Sequence, residues 1–296
     1  VYCHAWGSEA LMEGNRVIGV TFQSKEGRKA ILAGKVIDCT GDGDIFASAG
    51  CAYEKEYSGD DRSYNVSVVF RLGNVDSEEF RNWKYDPNSH YRDKLAEYKK
   101  LFGYRISPFV TPMKDIMWVN NFVEGKDCCN VQDLTDTEML IRRSLNEGIE
   151  WIRENVPGFK NAFLHDTAPQ LGTRGSRRLN GTYRLTMDDI AQTIEHEDTI
   201  AIIPAHRRMK YKSPIELPYG VMLPADDVED LLAAGRCFSS AHDANDHANL
   251  IPHCVALGEA AGAAAALALQ SNTTFRDVDV KKVQQMLKKQ GVYLPR

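Results

Sequence analysis

Residues 34–44, GKVIDCTGDGD, constrain the fold more than any other stretch of this chain. Val36, Ile37 and Cys39 run without a break into Thr40-Gly41-Asp42-Gly43-Asp44. A short apolar run that ends in a glycine- and acid-rich turn is the pattern of a strand buried on both faces, as parallel sheets require. Residues 45–50 then read as a short helix closed by Gly50, so the segment predicts a βα turn. In open α/β sheets a ligand sits at such turns, outside the carboxyl ends of the strands. The nearest approach to the dinucleotide fingerprint G-x-G-x-x-G, Gly41 through Phe46, places Phe46 where the third glycine belongs, and the fingerprint occurs nowhere in the chain.

Composition narrows the partners. With 296 residues and 43% hydrophobic content, the chain can bury a sizeable core and predicts two lobes. A formal net charge of −5 with mixed signs argues against nucleic acid and against a polybasic membrane anchor. The seven cysteines include no C-x-x-C, and the odd number fits reduced thiols in a cytoplasmic setting better than a disulfide scaffold. Cys128-Cys129 reads as two ordinary side chains, and no metal site is expected. The longest apolar run, residues 254–269, is rich in alanine, contains Glu259 and is shorter than the roughly 20 residues of a membrane span, so it predicts a buried helix. Residues 1–14, which do not begin with Met, show neither a basic n-region nor an apolar h-region, so a signal peptide is not expected and an upstream segment is.

Periodicity organises the rest. Residues 16–23 and 30–33 predict a hairpin, with a Lys-Glu-Gly-Arg-Lys turn between them. From about Ala52 the chain turns polar and then strand-like, and residues 77–104 hold charged helical segments, which sets a lobe boundary. Residues 135–156 predict a long helix: Thr135 and Glu138 form a capping box, and Ile141, Leu145, Ile149, Ile152 and Val156 make one apolar stripe. A helix from Thr186, strands at 199–205 and 217–224, a strand at 231–235, a loop rich in His, Asp and Asn, and two closing helices follow. The expected domains are 1–52, 53–224 and 225–296, the first and last forming one unit around an inserted lobe.

Residues 231–270 concentrate the chemistry. Pro252 suits the first turn of a helix, leaving the following N–H groups to face an anion or a ring oxygen, which makes a site for flavin. Gly258 and Gly262, one turn apart, suit close helix packing. Arg174, Arg177 and Arg178 cluster, and a guanidinium fork can orient an anion or polarise a carbonyl, with a structural ion pair as the equal alternative for each. Arg174 is preferred because the other two are adjacent and at least one should meet solvent or an acid. His242, His247 and His253 fall within twelve positions, and imidazole exchanges protons near neutral pH, although any single one is more often a hydrogen-bonding loop residue.

The combination of VIDCTGDGD, the segment LGTRGSRRLNGTYRLTMDD and AAGRCFSSAHDA…IPHCVALGEAAGAAAA resembles the FAD-dependent oxidoreductase family with a flavin domain of the glutathione-reductase type. The resemblance runs to the tail, DVDVKKVQQMLKKQGVYLP, and so covers nearly the whole chain. It implies an α/β fold: an incomplete FAD-binding Rossmann-like domain formed by both ends of the chain, with an inserted α+β substrate lobe. In that family the glycine-rich first βαβ unit precedes everything present here, so a missing N-terminal segment or a companion polypeptide is expected to carry G-x-G-x-x-G. Carried over by position, Thr40, Gly41, Asp42 and Gly43 lie beside the adenosine half of FAD, Gly235 and Arg236 follow the sugar and pyrophosphate, and Ile251, Pro252, His253, Cys254 and Ala256 approach the isoalloxazine. For Asp42 and Asp44 the ordinary alternative is turn formation and capping, the stronger reading for Asp44. Cys237 reads as a small buried side chain.

Departures from the family pattern at Asp246, His247, Asn249, His253 and Gly175 point away from the usual anionic substrate toward a neutral, hydroxyl-bearing one. The expected activity is hydride transfer between FAD and a small polar organic molecule bearing a hydroxyl or carbonyl, with Arg174 orienting substrate and His242 or His247 exchanging the proton. One rival is a non-catalytic flavin-binding subunit of a heteromeric complex. Another is a nicotinamide-binding domain without flavin, which the absent fingerprint weakens most. A homo-oligomer is compatible with the sequence.

Overall fold

The computed structural model describes residues 1–55, 66–192, 194–204 and 214–295. The chain forms two compact units, one from Val1–Glu56 with Gly175–Arg296, the other from Tyr57–Arg174. Part of the polar stretch read as a lobe boundary, Thr193 of the helix read from Thr186, and Ala205 of the strand at 199–205 lie outside the described residues.

The first unit opens with an antiparallel meander of β1 (Trp6–Glu13), β2 (Arg16–Ser24) and β3 (Gly27–Leu32). The predicted hairpin is β2–β3, and β1 is an added strand, its register set by pairing from Trp6↔Gln23 to Glu13↔Arg16. Gly19 allows β2 and β3 to approach, because a Cβ there would fall 2.2 Å from the carbonyl of Ile31. Then come β4 (Val36–Asp38), α1 (Asp44–Ser48) and β5 (Tyr53–Glu54).

The Tyr57–Arg174 unit holds β6 (Val66–Ser67), β7 (Phe70–Gly73), α2 (Ser77–Tyr85), α3 (Tyr91–Phe102), β8 (Arg105–Val110), β9 (Met117–Phe122), α4 (Val131–Asn155), β10 (Phe163–Thr167) and β11 (Gly172–Thr173). Its main sheet is antiparallel in the order β10-β7-β9-β8. Phe70, Leu72, Ile106, Met117 and Val119 join the helices in one core, where the predicted stripe Ile141, Leu145, Ile149 and Ile152 is buried. Gly148 interrupts that stripe for a reason: a Cβ there would lie 2.4 Å from the Tyr98 hydroxyl. The helix starts four residues before the predicted capping box. Asn130 caps it, accepting from the N–H groups of Gln132 (2.9 Å) and Asp133 (3.1 Å), while Thr135 donates back to Val131 O.

Residues 175–224, assigned by sequence to the inserted lobe, pack instead with the first unit. They supply β12 (Arg178–Leu179), α5 (Met187–Gln192), β13 (Thr199–Ile203) and β14 (Ile215–Pro218), and residues 219–221 form a short 3-10 turn where the sequence suggests strand. The cause is apolar burial. Ile200, Ala201, Ile203, Ile215 and Leu217 share a core with the alanines of the penultimate helix, and Gln284 donates to the carbonyls of Glu197 and Thr199. The chain closes with β15 (Leu231–Ala233), α6 (His242–Ala248), α7 (Ile251–Ser271) and α8 (Val280–Lys289). The segment read as a His-, Asp- and Asn-rich loop is therefore partly helical. At 21 residues α7 exceeds the sequence estimate and is long and apolar enough to cross a membrane by length and composition. It nevertheless contributes Leu257, Ala260, Ala261, Ala264 and Ala268 to the core of its unit.

Candidate functional site

In the first unit β4 and β15 pair in parallel, Val36↔Leu231, Ile37↔Leu232 and Asp38↔Ala233. Parallel pairing sends both strands out of the sheet at the same end, so the turns at residues 39–43 and 234–237 lie together. The Ala234 N–H donates to Asp38 O at 2.9 Å and extends the pairing into them. This juxtaposition depends on pairing between segments nearly two hundred residues apart.

Asp38 holds the first turn. Its carboxylate is fully buried. One oxygen accepts the Thr40 N–H (2.9 Å) and hydroxyl (2.7 Å), the other the N–H groups of Ile45 (3.0 Å) and Phe46 (2.9 Å). Those last two are first-turn donors of α1, whose own N-cap position is Gly43 and carries no side-chain acceptor. A buried carboxylate at the end of a strand thus caps the following helix. Gly43 has φ 69°, and a Cβ on it would meet the Phe46 ring at 2.1 Å. Phe46, the residue that breaks the fingerprint, is therefore a buried packing residue beneath the turn.

Charge holds the second turn against the first. Arg236 donates from Nη2 to Asp42 Oδ2 (2.9 Å), and Asp42 Oδ1 accepts the Ser176 hydroxyl (2.7 Å). Arg177 donates to Asp42 O (3.0 Å) and Asp44 Oδ1 (2.9 Å). Gly41, at φ 84°, lies under the Arg236 guanidinium, 2.3 Å from where a Cβ would stand. Gly235, at φ 90°, faces open space. From α6, Asn245 donates to Arg236 O (3.0 Å) and Ser240 Oγ (2.9 Å). Arg178 is buried, donates to Ser240 O (3.1 Å) and stands 3.8 Å from Glu54. Both adjacent arginines therefore meet acids.

Burial raises the Asp44 pKa, opposed by the hydrogen bond and charge of Arg177 and reinforced by Asp42 and Asp38. The thiols here are held protonated. Burial pushes up Cys39, aided by the Asp38 charge and by Cys254; it also raises Cys254, against the charge of Arg236, and raises the fully buried Cys237 most of all. Cys39 is exposed, Cys254 half-buried and Cys237 buried, and the raised values disfavour the thiolate in each. Leu269, near the end of α7, packs at Gly34 just before β4, so the helix runs back along the strand and its start lies toward the carboxyl end of β4, where Cys254 adds to the rise at Cys39.

That start differs from the sequence expectation. Pro252 occupies the first turn, but the N–H groups of His253 and Cys254 both donate to Leu250 O, at 2.9 and 3.0 Å. The first turn tightens on its own carbonyl, so it presents its dipole and an apolar surface instead of a row of donors. Ile251 and Val255 are 81% and 63% exposed there. Gly258 and Gly262 face open space, so close packing does not demand them; α7 is approached closely at Gly34, where a Cβ would meet Leu269 at 2.9 Å. Ala256 is half-buried and His253 buried.

His242 opens α6 and His247 lies in its last turn, both half-buried, on the helix whose Asn245 supports Arg236. Arg174 closes the other unit, where its guanidinium lies 5.7 Å over the Phe122 ring. The sequence reading missed Asp38, Ser176 and Asn245 in the framework of the junction, whereas for Arg177 the ion pair was one of its two readings. Of the three, only Asp38 carried a local signal, an acid inside an apolar run.

No curated protein matches the chain significantly. Among solved structures it is similar to the flavin-dependent brominase Bmp2 in a triple-mutant form, at 12% identity and TM-score 0.40, over 96% of this chain and 55% of that one. It is also similar to the myxobacterial chondrochloren halogenase CndH, at 11% identity and TM-score 0.40, over 96% of this chain and 50% of that one. The chain thus spans about half the length of the solved structures it matches. A family model described as FAD dependent oxidoreductase matches residues 1–287, and the chain belongs to that family.

Proposed function

We propose that the crevice at the carboxyl ends of β4 and β15 holds FAD non-covalently, and that the protein transfers hydride between flavin and a small polar organic substrate bearing a hydroxyl or carbonyl. The observation that carries this reading is the meeting, at one end of a parallel strand pair, of two positive-φ glycine turns, a carboxylate-anchored arginine and the start of a long helix. The residues fit the group. Thr40, Gly41, Asp42 and Gly43 follow the adenosine half, Gly235 lets backbone approach a sugar or phosphate, and Arg236 offers a planar fork suited to phosphate. Ile251, Pro252, His253, Cys254 and Ala256 supply an apolar turn and a helix dipole for the ring. Bound flavin contributes reversible two-electron redox chemistry.

Around it the chain's own residues bind and move protons. His242 or His247 exchanges the substrate proton. The phosphate cradle that the sequence lacks is supplied from outside residues 1–296, by a further segment or a companion polypeptide, which completes a Rossmann-like domain around this junction.

The test is the absorbance spectrum of the purified protein with whatever co-purifies. The expected result is flavin that bleaches on reduction, with content reduced at least about tenfold in Arg236→Ala. Flavin seen only with a second polypeptide, in a complex that turns over no substrate, supports a binding subunit instead. Colourless protein that takes up no added FAD overturns both.

A further inference from the structure

The Tyr57–Arg174 unit carries a cleft of about 500 Å³ on the open face of its sheet, within the size range of small-molecule sites. Register builds it. Asp166 pairs with Arg71, Arg71 with Trp118, and Trp118 with Phe109, so these four side chains form a row across all four strands, opposite the face that packs on the helices. Asn120, two residues from Trp118, and Met113 in the β8–β9 loop complete the wall. The Thr111 hydroxyl fixes that loop, bonding Ile116 O at 2.7 Å and accepting the Met113 N–H at 3.2 Å. Trp118, Phe109 and Met113 are 44%, 40% and 46% exposed, large apolar side chains gathered at one cleft and not scattered.

The polar groups select the occupant. Arg71 is held by Asp166 in a two-pronged pair through Nε (2.8 Å) and Nη2, which neutralises its charge and uses one edge of the fork. Nη1 has no acceptor among the described residues. Trp118 Nε1 donates to Asn120 Oδ1 at 2.6 Å, which turns the amide so that its NH2 remains a donor without an acceptor among the described residues. The wall therefore offers two aromatic surfaces and N–H donors; Asp166 neutralises Arg71, and the cation beside them, Lys84, lies 5.7 Å over the Phe109 ring and donates to Pro108 O. A carboxylate would compete with Asp166 for Arg71, and a saturated chain would leave the donors unmet.

We propose that this cleft binds a neutral aromatic carbonyl compound, its ring against Trp118 and Phe109 and its oxygen accepting from Arg71 Nη1. The inference is independent of flavin, since the cleft lies wholly within the Tyr57–Arg174 unit.

The test is fluorine NMR of the protein labelled with fluorotryptophan at its four tryptophans, titrated with acetophenone, benzoate and toluene; no flavin or turnover is needed, so its outcome is separate from that of the oxidoreductase proposal. Acetophenone is expected to shift the Trp118 resonance alone, and more tightly than benzoate. Arg71→Met is expected to weaken acetophenone about tenfold, the loss of one charge-assisted bond, and toluene less than about twofold. A shift at Trp6, Trp83 or Trp151 instead, no shift at millimolar acetophenone, tighter binding of benzoate, or equal weakening of both neutral ligands by Arg71→Met overturns the proposal.

Discussion

In the first unit, the segment after β4 is fixed by one carboxylate, Asp38, which accepts four hydrogen bonds. In the Tyr57–Arg174 unit, the helices after β7 are fixed by rings: Phe80 meets Phe159 edge-on at 5.3 Å, Tyr91 at 6.1 Å and Trp83 at 6.3 Å. The two devices differ in what they tolerate. Ring packing depends on filled volume, so another apolar side chain recovers much of it. A buried carboxylate fixes direction as well as position, since all its partners are donors, and no side chain without two acceptor oxygens can replace it. Directional anchoring stands where two turns must meet, and volume packing where only a core is needed.

The sharpest way to break this contrast is to remove each anchor. Asp38→Ala strands two buried N–H groups and a part-buried one and is expected to destabilise by about 3–4 kcal/mol in urea unfolding. Asp38→Asn should recover little of that, because its NH2 faces donors; near-complete recovery would sink the directional account. Phe80→Ala is expected to cost about 3 kcal/mol, and Phe80→Leu to recover more than half of it. Where the two turns meet, Gly41→Ala forces a positive-φ residue into the Arg236 guanidinium and is expected to cost roughly 1–2 kcal/mol, with flavin content falling further than the stability change explains.

The smallest effect concerns acid. Burial raises the Glu124 pKa, but the hydrogen bonds and charges of Lys99 and Arg105 outweigh it and hold the carboxyl below its usual value. A depressed carboxylate stabilises the fold above its unfolded pKa, and that contribution is lost as pH falls through the folded one. Because both cations are largely exposed, Glu124→Gln is expected to remove only about 0.5 kcal/mol at neutral pH and to flatten the loss of stability below roughly pH 4.5.

Much of this was legible. The α4 stripe of Ile141, Leu145, Ile149 and Ile152 is buried as its spacing predicts, because a helix needs only local periodicity to choose its inner face. Its start was misplaced because Asn130 competes with Thr135 as a cap, and sequence alone does not rank the two. The strand β1 went unread because Trp6, Ser8, Ala10 and Met12 alternate too weakly to announce a strand without β2 beside them. Residues 175–224 were assigned to the wrong unit for a related reason: apolar strands such as β13 and β14 show that they must be buried, not against what.

For the candidate site, the sequence determined which positions must bend and which could meet a ligand. Gly41, Gly43 and Gly235 mark backbone that turns through positive φ, and Arg236 and the start of α7 stood out by residue type and order. Only tertiary structure decided their company. Asp42 finds Ser176 across 134 residues and Arg236 across 194; the second bond follows from the parallel pairing of β4 and β15, and Ser176 arrives just ahead of β12, which pairs with β5. Local preference is written in neighbouring residues, whereas the partners of a charge or an open strand edge depend on which distant segments fold against it.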